Sequence, residues 1–305
     1  MNAATLRKKD TLSVVPPPPP SGPAHPAAPV LSEKIARQTA NDPSRLYRRA
    51  SAPEWLISSI YAVLGMALFV VAWAVVAKHG GRIPGPDAVW KAAVVIFSDP
   101  FYSKGPNDQG IGWNVLSSLR RVALGFGAAA LVGIPLGFLI GRFRPVSDMA
   151  APIIAMLRPV SPLAWLPIGL LLFKAANPAA IWAIFICSLW PMIINTAVGV
   201  RQVPQDYLNV ARVLNLSEWK VFTKILLPSA LPFMITGVRL SVGVAWLVIV
   251  AAEMLTGGVG IGFWVWDEWN NLKVEHIIIA IFTIGIVGLV LEQALVMVAK
   301  RFTYS

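Results

Sequence analysis

The chain has 305 residues, of which 56% are hydrophobic and only 13% charged, with a formal net charge of +11 at neutral pH. This balance leaves too little polar surface for a soluble domain and makes a multi-span membrane protein the default reading. The basic residues stand at the ends of apolar runs rather than on one face, which points to membrane topology and away from nucleic-acid binding. A single cysteine, Cys187, lies inside an apolar run, and His25, His79 and His276 are far apart in sequence. No internal disulfide, thiol-based metal site or catalytic constellation is therefore expected.

Residues 1–50 contain Pro16 to Pro20 unbroken, many Ala and Ser, and scattered basic residues. They cannot bury a core and are expected to form a disordered, proline-rich cytoplasmic tail. Residues 51–305 form the membrane domain. Its first span, Trp55 to Ala77, is long enough to cross about 30 Å of hydrocarbon, and Arg48 and Arg49 hold its start inside. An outer segment follows to Trp113, with an amphipathic helix predicted over Asp87–Phe97. The second span, near Val122 to Gly141, ends at Arg142 and Arg144 on the inner side. Arg120 and Arg121 at its outer end run against the positive-inside tendency and require protein neighbours. The third, between Pro145 and Phe173, is interrupted by Pro152, Pro159, Pro162 and Pro167, which is tolerated where helices pack or a cavity is lined. The fourth covers Ala179–Val200, with Arg201 inside. The fifth covers Ser229–Leu255 and is followed by a glycine- and tryptophan-rich outer connection. The sixth covers His276–Ala299 and ends at Lys300 and Arg301. The expected fold is all-α and polytopic, with about six spans and both termini cytoplasmic.

Between the fourth and fifth spans lies a polar, basic island, Pro204 to Pro228. It reads as two short helices. Gln205 and Asp206 suit a first turn, and Tyr207, Leu208, Ala211 and Leu214 fall on one face. Asn215, tolerant of the left-handed conformation, ends the first helix. Ser217 can cap the second, and Pro228 forbids its simple continuation. The spacing Asn209-Val210-Ala211, then Asn215, then Ile225 and Leu227-Pro228 resembles the EAA loop of ABC-importer permeases, E-A-A-x-x-x-G-x(9)-I-x-L-P. The resemblance implies that the loop, 201–228, docks the membrane subunit on its ATPase, with Leu208, Asn209, Val210, Ala211, Arg212, Asn215, Leu216, Lys220 and Pro228 as coupling residues. Asn215 in place of Gly keeps the turn. Asn209 in place of Glu removes a charge, so the grip falls to shape and to Arg212 and Lys220.

Charges inside spans cost several kcal/mol unless paired or wet, so they are candidate pathway residues. Arg158, Arg239 and Glu292 lie at comparable depth, roughly 10 to 17 Å from the inner ends of their spans by helical rise. Arg239 and Glu292 are read either as an ion pair locking two helices or as pathway groups, and Arg158 as either structural or lining an anion path. Glu253, near the outer end of the fifth span, joins this set. The loop after it, with Gly257, Gly258 and Gly260, lacks a phosphate-loop signature; with Trp264, Trp266 and Asp267 it is read as an outer gate, a binding-protein contact or a plain turn. Trp264, Trp266 and Trp269 suggest an interfacial belt.

The stretch VAAEMLTGGVGIGFWVWDEWNN and the downstream GLVLEQAL resemble the nitrate-type branch of importer permeases, whose members move nitrate, nitrite, cyanate or bicarbonate. SLRRVALGF, GIPLGFLIGR, LRPVSPLAWLPIGLL and TGVRLSVG fit the wider group that includes taurine and alkanesulfonate permeases. The resemblance covers Trp55 to Phe302. It implies a type I ABC importer permease fold, a bacterial inner-membrane location and no enzyme activity in this chain. The implied partners are a second permease copy, two ATPase subunits that carry ATP and Mg, and an extracytoplasmic solute-binding protein; no cofactor is expected on this chain. The expected substrate is a small inorganic anion, nitrate first, with bicarbonate, cyanate or a sulfonate as alternatives. A secondary anion transporter or channel would have no need of an EAA-like helix pair.

Overall fold

The computed structural model describes residues 54–80 and 83–303; the expected tail, 1–50, lies outside them. In chain order the helices are α1 (Glu54–Gly80), α2 (Pro86–Ser98), α3 (Ile111–Arg142), α4 (Arg144–Leu157), α5 (Pro162–Phe173), α6 (Ala176–Arg201), α7 (Gln205–Val213), α8 (Glu218–Val221), α9 (Leu227–Thr256), α10 (Ile261–Asn270) and α11 (Val274–Thr303), with a π-helical turn, Phe222–Leu226, between α8 and α9. No strand is formed among the described residues. The chain divides into a unit ending at Ala67 and one beginning at Leu68, and every site below belongs to the second.

Among the described residues, five helices are long and apolar enough to cross a bilayer: α1, α3, α6, α9 with its α8 extension, and α11. A sixth crossing is available if α4 and α5 are taken together, with a bend of 100° between them. The expected irregular third span is this bent pair, and its break falls at Arg158–Ser161, between Leu157 and Pro162.

The central helix is α6, which packs along α3 on one side and α9 on the other. Lipid gives helices no hydrophobic reason to associate, so close packing of small residues and interhelical hydrogen bonds must hold them. The α3 face supplies Gly125, Ala129, Gly133, Gly137 and Gly141 at four-residue spacing. At Gly137 the helices are so close that a Cβ would sit 2.6 Å from Thr196 Cβ. On the opposite side, Ser241 Oγ donates to the Ser188 carbonyl at 2.8 Å, and Ser188 Oγ donates to the Ser241 carbonyl at 3.4 Å.

Contacts at the helix ends set the directions. α3 and α6 both run from the end where Arg121 meets Asn177 to the end where Arg201 Nη2 donates to Ser147 Oγ at 2.6 Å. α9 runs the other way, from the island to Glu253. Since α3 and α6 run in the same direction, the chain between them must cross back, and the bent α4–α5 pair makes that return.

One expectation is corrected here. α3 begins at Ile111, well before Val122, because its polar first turns are satisfied by protein rather than exposed to lipid. Past the island, the second helix does continue, but not simply: it passes through the π turn, and Pro228 is the second residue of α9. Proline lacks an N–H and its ring crowds the carbonyl four residues back. The wider turn relieves this, with Leu227 N–H bonded to the Phe222 carbonyl, one residue further back than in an α-helix.

Candidate coupling and translocation site

At one end of the bundle, α7 and α8 cover the ends of α3, α6 and α9. Leu208, Ala211, Leu216, Val221 and Leu226 pack with Phe138, Val200 and Val203 in one cluster. α7 closes with a Schellman arrangement: Leu216 N–H donates to the Ala211 carbonyl at 3.0 Å and Asn215 N–H to the Arg212 carbonyl at 3.1 Å. Asn215 occupies the left-handed position, with φ of 48°. Ser217 has the extended backbone of a cap residue, but its side chain makes no capping hydrogen bond, contrary to expectation.

The anticipated single apolar face of α7 is split. Leu208 and Ala211 turn inward, whereas Tyr207 and Leu214 are exposed, because the span ends behind α7 reach only its inner edge. Together with Val210, Val213 and Trp219, the last two 82% and 72% exposed, they form an apolar surface dotted with the exposed Arg212 and Lys220. Asn209, where the EAA pattern has Glu, accepts a hydrogen bond from Arg212 Nη1 at 3.3 Å. Behind this surface, Arg142 reaches Glu218 at 3.6 Å across the mouth of an apolar groove lined by Phe138, Trp219 and Phe222.

The opposite end is tied by a buried polar knot. Asn114, Ser118 and Arg121 share one face of α3 at i, i+4 and i+7 spacing. Arg121 Nη1 donates to Glu253 Oε1 at 2.6 Å and to the Val259 carbonyl at 2.7 Å. Its Nε and Nη2 donate to Asn177 Oδ1 at 2.8 and 2.6 Å. Glu253, 1% exposed, also accepts from Gly262 N–H at 3.0 Å, and Ser118 Oγ lies 2.8 Å from both its carboxylate oxygens. Ile261 N–H donates to Ser118 Oγ, and Gly260 N–H to Asn114 Oδ1. A Cβ on Gly260 would collide with the Glu253 carboxyl group, so any other residue there must displace a carboxylate held by hydrogen bonds.

The expected outer-end residues divide between buried and exposed positions. Glu253 is fully engaged as a strut between α3, α9 and the following loop. Gly260 is buried under Glu253 instead of lying at the surface. Trp264 is also buried, 6.1 Å from the His276 ring in a stacked contact, because Ile261, Trp264 and Glu268 form the inward face of α10. Trp266, Asp267 and Trp269 remain exposed, and Gly257 and Gly258 take positive φ values of 75° and 90°. Arg121 has its protein neighbours, but the adjacent Arg120 is exposed.

The remaining intramembrane charges sit around two cavities that share Leu240 and Val244 of α9. One, of about 650 Å³, is lined by Arg239 and Glu292, which form an ion pair at 2.8 Å. The other, of about 350 Å³, is lined by Arg158 from the α4–α5 break and by Cys187, Trp190 and Asn195 of α6. The knot could be suspected from Arg121's violation of the charge rule, but Ser118 and Asn114 gave no signal beyond their spacing. No group of His, Cys, Asp and Glu able to hold a metal is present among the described residues.

Residues 133–304 match the model of the binding-protein-dependent transport system inner membrane component family. The chain belongs to this family. Among its relatives, a nitrate import permease protein of Synechocystis sp. is 47% identical over 235 residues, covering 77% of this chain and 86% of that protein. A bicarbonate transport system permease protein of the same organism is 42% identical over 275 residues, covering 88% and 96%. Two solved structures share the fold at 15% identity. An inward-facing methionine ABC transporter matches with a TM-score of 0.52 over 62% of this chain and 94% of that one; an amino acid ABC transporter matches with 0.51 over 71% and 96%. The chain is thus a multi-pass inner-membrane ABC permease of the nitrate type and a transporter component.

Proposed function

We propose that this family member is the translocating subunit of an ATP-driven importer for a small inorganic anion, with nitrate as substrate. The observation that carries the proposal is the 47% identity to a nitrate import permease over most of both chains. Bicarbonate is the second reading, because similarity to a bicarbonate permease extends over a larger share of this chain.

In this account two copies of the chain stand side by side. The exposed face of Tyr207, Val210, Val213 and Trp219 docks on an ATPase subunit beneath each copy, with Arg212 and Lys220 supplying charge. ATP and Mg are held by those subunits, and this chain binds no cofactor. Both termini and the island lie in the cytoplasm, supported by the basic residues Arg142, Arg144 and Arg201 at that end. The opposite end, with Trp266 and Asp267 exposed, meets a solute-binding protein. ATP binding draws the ATPases together, α7 and α8 move with them, and the shared cluster passes that movement to α3, α6 and α9.

The substrate is tested by uptake of labelled nitrate into membrane vesicles that contain the whole complex, with bicarbonate as competitor. The account predicts ATP-dependent nitrate accumulation that excess bicarbonate reduces only weakly. Bicarbonate accumulation with no nitrate uptake would replace the substrate and leave the transporter class unchanged.

A further inference from the structure

We infer that Arg158 is the residue that selects for anions, through a weakly hydrated, planar monovalent oxyanion site in the cavity at the α4–α5 break, and that Arg239 is not. This deepens the importer reading above and rests on it.

The intramembrane arginines differ in whether their charge is already satisfied. Arg121 is neutralised by Glu253, and Arg239 by Glu292. Arg158 has no side-chain hydrogen bond or ion pair among the described residues. An isolated guanidinium at membrane depth is costly unless something occupies it, so an unpaired one facing a cavity marks a place where a mobile anion completes the charge balance. Its position also suits this role. It follows Leu157 and precedes Pro159 in the short non-helical connection where the bent span changes direction by 100°. Irregular backbone of this kind occurs at membrane depth where it is buried in protein or lines a wet cavity, and here Arg158 and Val160 line a cavity.

The rest of the wall narrows the class of ligand. Its polar groups are mainly donors: the planar guanidinium, the Trp190 indole N–H, which has no partner among the described residues, and the Asn195 amide. One Asn195 amide hydrogen is already used, since Nδ2 donates to the Pro191 carbonyl at 2.8 Å. The other lining residues, including Ile194, Leu240 and Val244, are apolar. Such a site compensates one negative charge and offers planar, bidentate donation, but few acceptors. Nitrate needs no acceptor. Bicarbonate carries a hydroxyl proton that requires one, and Asn195 Oδ1 is the one side-chain oxygen among the lining residues. Divalent oxyanions would be left with an uncompensated charge. Arg239 lies across Leu240 from this cavity, and its pairing with Glu292 removes the net charge there.

Cys187 is the chain's single cysteine and also lines this cavity, so Cys187→Ala provides a cysteine-free chain in which Val160→Cys places a reporter beside Arg158. In the assembled complex, the reporter's reaction rates with anionic and cationic methanethiosulfonates of similar size measure the local potential. The anionic reagent should react faster by on the order of tenfold, as expected for a focused positive field. Arg158→Gln should bring the ratio close to one, Arg158→Lys should largely preserve it, and Arg239→Gln with Glu292→Gln should leave it unchanged. Sodium nitrate should slow the anionic reagent more than sodium bicarbonate does, and only when residue 158 is basic. The inference is overturned if Arg158→Gln leaves the ratio intact, if neutralising Arg239 and Glu292 collapses it, or if nitrate gives no protection. Should Arg158→Gln fail to assemble, nitrate protection of the parent reporter decides alone. Failure of the parent chain to assemble with ATPase subunits would defeat the importer reading instead.

Discussion

Glu253 and Glu292 each hold an arginine at membrane depth, but in different surroundings. Glu253 is enclosed and accepts hydrogen bonds from a guanidinium, a hydroxyl and a backbone amide, whereas Glu292 lies open to a cavity. Removing one partner of an enclosed pair strands the other charge and costs roughly 3–5 kcal/mol. Glu253→Gln should therefore lower the melting temperature of the purified complex by several degrees. Gly260→Ala, which forces a methyl into the carboxylate, should cost about 1–3 kcal/mol of stability and lower the melting temperature as well. Arg144→Gln, which removes an exposed i, i+4 pair with Asp148, should leave it unchanged. Equal melting of all three variants would contradict the strut role. Arg121 was visible in the sequence as a basic residue at the wrong membrane face, and Glu253 as a charge in an apolar run. Their pairing was not visible, because 132 residues separate them and no local pattern links them.

At the scale of elements, the island is the most telling part. Its first helix and left-handed stop at Asn215 could be read from residue types, since few side chains tolerate that backbone. The continuity of α8 into α9 could not, because proline ordinarily ends a helix and a π turn has no sequence signature of its own. The Schellman closure makes a sharp prediction. Asn215→Gly should keep ATPase subunits bound through purification. Asn215→Pro, which can neither adopt positive φ nor donate to the Arg212 carbonyl, should release them while the spans remain folded. Retention of the ATPases by the proline variant would mean that α7 and its turn are not the docking element. The bent α4–α5 pair was legible only as a cluster of prolines. Its meaning comes from α3 and α6 running in the same direction, a tertiary fact that leaves a crossing for the intervening segment to make.

For the whole molecule, an apolar chain with basic residues gathered at one set of span ends could be recognised as a multi-span protein from composition alone. The transport class came from spacing in the island. The substrate came from resemblance in the stretch around Glu253, which the structure uses to tie helices together. The features that point to the drive and to the kind of cargo therefore lie at opposite ends of the bundle, and α3, α6 and α9 connect them. A test must engage both ends together. Proteoliposomes holding this chain, its ATPase subunits and the binding protein should accumulate labelled nitrate only when ATP and Mg are supplied to the side bearing the island, and the purified chain alone should hydrolyse no ATP. Nitrate accumulation by this chain without ATPase subunits, or ATP hydrolysis by the chain alone, would contradict the account.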